Sequence, residues 1–81
     1  MNDKTVVDAV LDTVMNQIAT GDPPETKATL DRLMSEGYSK SQALQAIASA
    51  LRIEMNRMVT EIKPFDNARY AELLSKLKGE A

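Results

Sequence analysis

Between Ser39 and Ile62 the chain runs 24 residues without proline or glycine, and its apolar side chains recur three and four positions apart. That spacing is the period of one helix face, so the stretch predicts a single long helix. Leu44, Ile47, Ala48, Leu51, Met55, Met58, Val59 and Ile62 fall within a sector roughly 120° wide, suited to burial. A second set, Ala43, Ala46, Ala50 and Ile53, lies on nearly the opposite side. Alanine is a strong helix former in any setting, but at this spacing it also lets another backbone approach closely. Ile53 on that side would otherwise stand in water. Arg52, Glu54, Arg57 and Glu61 are left for the flanks.

A helix apolar on two sides needs two partner layers. Either it runs through the middle of a bundle or one side meets a second copy of the chain. The size of the protein makes the second solution attractive. Its 81 residues predict one domain, residues 1–81, small enough to be marginal without a staple or a partner. With no cysteine and no histidine, neither a disulfide nor the usual zinc site supplies that staple. A homodimer is therefore expected, its interface on this helix through Ala43, Ala46, Ala50 and Ile53 or on the chain's first helix, with a further protein partner as a second possibility.

The rest of the chain reads as three shorter helices. The first is expected from about Lys4 to Thr20, capped by Asn2 or Asp3, with Val6, Val7, Val10, Leu11, Val14 and Ile18 inward and Gly21 as its stop. In Asp22-Pro23-Pro24-Glu25, Asp22 is the expected cap, Pro23 the first helical residue and Glu25 the far side of a capping box. That second helix points Leu30, Leu33 and Met34 inward and ends before Gly37. Ser39 and Gln42 make the capping box of the long helix, with Tyr38 stapled onto Ala43. Pro64 ends it. Asp66 caps a fourth helix, Phe65 packs on Tyr70, and Tyr70, Leu73, Leu74 and Leu77 face inward, with Gly79 as the stop after Lys76 and Lys78. The expected fold is all-α, a four-helix, bundle-like domain around residues 39–62.

Chemistry is sparse. Without histidine or cysteine the familiar nucleophile–base pairs are missing, and the three glycines all stand at helix ends, so no phosphate loop exists. Asp8 and Asp12 lie one turn apart on a polar face with no third ligand. The sequence therefore predicts no catalytic residue, no cofactor and no metal, and the protein reads as a non-enzyme. A net charge of −2 points neither to nucleic acid nor to an anionic membrane. It is unevenly spread, net −4 over residues 1–37 and net +2 over residues 38–81. No apolar run suits a signal peptide or a membrane span, so a cytoplasmic protein with no membrane contact is expected. The alternative function follows from two helices joined at a tight glycine turn, as in helix-turn-helix proteins. A nucleic-acid contact set would then be Lys40, Gln42, Gln45, Arg52 and Arg57.

The order Asp22-Pro23-Pro24-Glu25, then Gly37-Tyr38 with Ala43-Leu44, then Pro64-Phe65-Asp66 with Tyr70, resembles a bacterial family of small all-helical proteins of unknown function. The resemblance implies a stand-alone chain of this size and this fold. It also implies that relatives often carry one or two histidines, sometimes with a glutamate, just after the Gly-Tyr turn. Ser41, Gln42 and Gln45 stand there in this chain, so the resemblance implies no metal site and no activity here.

Overall fold

The computed structural model describes residues 3–77, with side chains from residue 9 onward. Four helices account for most of it: α1 (Asp3–Thr20), α2 (Pro24–Ser35), α3 (Lys40–Glu61) and α4 (Asn67–Ser75). The described residues contain no strand. The all-α fold with α3 as its longest element is as the periodicity predicts. The expectations for Asn2, Val6, Val7, Asp8, Lys78 and Gly79 lie outside the described side chains.

α3 packs on all three other helices, and α2 also touches α1, α3 and α4. The centre is thus the α2–α3 pair, joined by the tight Gly37 turn. Met15 of α1 shares a groove with Lys40 and Leu44, while Val10 shares one with Arg52, so α1 runs antiparallel to α3. Thr26 meets Tyr70, and Arg32 Nη2 donates to the Leu74 carbonyl at 3.0 Å, so α4 runs alongside α2 in the same direction. The core is Val10 and Val14 from α1, Leu30 and Leu33 from α2, Ala43, Ile47, Ala48, Ala50 and Leu51 from α3, and Tyr70 and Leu74 from α4.

Most helix ends follow local chemistry. Ser39 Oγ accepts from the Gln42 amide at 3.1 Å and Gln42 Oε1 accepts from the Ser39 amide at 2.9 Å, a complete capping box. Asp66 Oδ1 accepts from the Ala68 and Arg69 amides at 3.0 and 3.3 Å. The Phe65 and Tyr70 rings meet edge-on at 5.6 Å. Gly21 and Gly37 take positive φ, 72° and 111°, as helix stops.

The start of α2 differs from the sequence expectation. Pro23, not Asp22, is the N-cap, Pro24 is the first helical residue, and no side chain caps the helix. The reason is steric. A residue before proline is pushed out of the helical region, so Pro23 is held extended at φ −76°, ψ 151° by Pro24 and the helix begins one residue later. The Asp22–Pro23 peptide is cis. The inward stripe differs too: Thr26, Thr29, Leu30 and Leu33 are buried, whereas Met34, expected inside, is 44% exposed. The buried positions keep the 3–4 ladder, but two of its rungs are threonines.

The two apolar sides of α3 also resolve differently. In its first half they merge into one broad buried sector holding Ala43, Ile47, Ala48, Ala50 and Leu51. In its second half Met55, Val59 and Ile62, expected inside, are exposed. At 1.5 Å per residue α3 spans about 33 Å and α2 about 18 Å, so α2 does not reach the far turns. Met55 and Val59 lie on the side of α3 that α1 follows, next to the part of α1 whose side chains are outside the described ones. Ile62 ends α3 in the left-handed conformation (φ 52°, ψ 55°), where a β-branched side chain costs roughly 1–2 kcal/mol. The side chain is exposed, and the offset comes from the backbone, where the Ile62 and Lys63 amides both donate to the Met58 carbonyl.

Removing a true cap costs about 1 kcal/mol, or roughly 4–8 °C in melting temperature for a domain this small. Ser39→Ala and Asp66→Ala are each expected to show that loss in thermal unfolding followed by circular dichroism. Asp22→Ala is expected to leave the melting temperature unchanged.

Candidate functional site

Two polar assemblies lock the helices together, and both bear on which surfaces remain available. In the first, α1, α2 and α4 meet through Gln17, Thr26 and Tyr70. Gln17 Oε1 accepts from the Thr26 hydroxyl at 2.8 Å and from the Tyr70 hydroxyl at 2.9 Å. Thr26 and Tyr70 are fully buried. Burial pushes the Tyr70 phenol above its usual pKa, opposed by its hydrogen bond with Thr26, so it stays neutral and donating.

The second assembly lies where α3 meets the entry to α4. Glu54 is fully buried and receives Arg57 in a bidentate pair, Nε to Oε1 at 3.0 Å and Nη2 to Oε2 at 2.6 Å. The Asp66 amide donates to Glu54 Oε2 at 2.9 Å, and Arg69 Nε stands 3.7 Å from Oε1. Arg57 also reaches Glu61 Oε1 at 3.3 Å and the Pro64 carbonyl at 3.5 Å. The carboxylate thus ties the last turns of α3 to the first residue of the α4 cap.

The Arg57 hydrogen bond holds the Glu54 carboxyl down at a pKa of about 2; burial opposes this, and the Asp66 amide reinforces it. Glu54 in turn holds the Arg57 guanidinium still more firmly protonated. A carboxylate so deeply ionised neither gives nor takes a proton near neutral pH. The shallow polar depression above it, about 510 Å³, is lined by Arg57, Lys63 and Arg69 against Glu61 and Asp66, nearly balanced in charge.

Glu54 and Arg57 correct the expectation that both lie on solvated flanks of α3. At 100° per residue Glu54 falls between Ala50 and Ile47, inside the buried sector. That angle, with an arginine one turn on, is the signal that sequence reasoning passed over. Burial also removes Arg57 from the nucleic-acid set. Gln42 spends its side-chain carbonyl on the Ser39 amide, and Lys40, Gln45 and Arg52 remain exposed. Lys40 and Arg52 stand about 18 Å apart along α3 and on different sides of it, and they do not form one basic face.

Of the expected interface residues, Ala43 and Ala50 are buried in the chain's own core and Ala46 is half-buried, which withdraws all three from a partner. They lie in the single buried sector of α3, not on a second face. Ile53 alone is open, at 56%. It belongs to an apolar surface on the far half of α3. There an open groove of about 560 Å³ is lined by Ile53, Met55 and Val59 with Val10, Ser49, Arg52 and Asn56. Val59 is 77% exposed.

Among the described residues no cluster of three or more acidic side chains is arranged to hold a metal ion. None of the described helices is long and apolar enough to cross a membrane. No protein-family model matches the chain, and no match to it was found among curated proteins or solved structures. The likeness to the bacterial helical family therefore rests on the order of its motifs alone.

The acid sensitivity of the fold follows from Glu54. Its folded pKa of about 2 lies below the ordinary 4.5, so its stabilisation is complete above pH 4.5 and is lost as pH falls toward 2. Melting temperatures of the native protein are expected to drop across that window. Glu54→Gln, less stable at pH 7, is expected to show a visibly flatter profile there.

Proposed function

We propose that this chain is a non-enzymatic helical interaction module of the cytoplasm that works by self-association. One observation carries the reading. Ile53, Met55 and Val59 stand 56%, 43% and 77% exposed and line one open groove on the far half of α3. Isolated exposed apolar residues are ordinary, but several lining one groove mark an interaction surface.

The rest of the site chemistry supports a binding role. Among the described residues the fully buried carboxylate, Glu54, is committed to an ion pair, and the fully buried phenol, Tyr70, to a structural hydrogen bond. The nucleic-acid alternative is weakened by the withdrawal of Arg57, which leaves two separated cations for phosphate contacts.

Light scattering after size exclusion, across a dilution series, tests the proposal. A dimeric mass is expected at high concentration. Ile53→Glu is expected to shift the species to monomer without lowering the helical content. A native chain that stays monomeric at every concentration overturns the reading.

A further inference from the structure

We draw no further inference here: the strongest candidate, the open apolar groove lined by Ile53, Met55 and Val59 on the far half of α3, lies along the side that α1 follows, and nothing in the structure shows what covers it.

Discussion

The fold depends on a carboxylate that the chain has taken out of water. Glu54 has no exposed surface, and a buried charge is tolerated only where its lone pairs are filled. Arg57 supplies two donors and the Asp66 amide a third, and these partners come from either side of the Pro64 turn, the last turns of α3 and the cap of α4. Pro64 breaks the helix, and Glu54 decides where the chain goes afterwards. Once Asp66 is held there, Tyr70 is placed to meet Gln17 and Thr26, and a helix of only nine residues is fixed against the others. Such a helix has little cohesion of its own.

The same arrangement explains what is left uncovered. α2 is too short to follow α3 to its end, and α4 reaches the last turns of α3 only on the side of Glu54 and Arg57. The other side keeps Ile53, Met55, Val59 and Ile62 in contact with solvent.

Local rules were the most legible part of the sequence. The Ser39–Gln42 box, the Asp66 cap, the Phe65–Tyr70 contact and the glycine stops involve residues within a few positions of one another, where spacing is nearly geometry. The start of α2 was legible in principle, because a proline disfavours helical geometry in the residue before it, but the capping pattern of Asp22 and Glu25 obscured it. Tertiary choices were much less legible. Periodicity gives the angle of Met55 and Val59 but says nothing of whether a neighbour reaches that far. Ala43 and Ala50 looked like a second face because small residues fit either a close intramolecular neighbour or a partner. Glu54 and Thr26 were missed because residue type was read before angular position. The candidate interface was therefore only partly visible, through Ile53.

The central claim is that Glu54 and Arg57 act as one unit, each made tolerable by the other. A double-mutant cycle tests it most directly, with Glu54→Leu, Arg57→Met and the combined variant compared by denaturant unfolding. Each single change leaves a buried charge without its bidentate partner, so the account predicts a double variant more stable than at least one single variant and far less destabilised than their sum. Strictly additive losses would contradict it, and Glu54 and Arg57 would then be independent residues that merely lie close together.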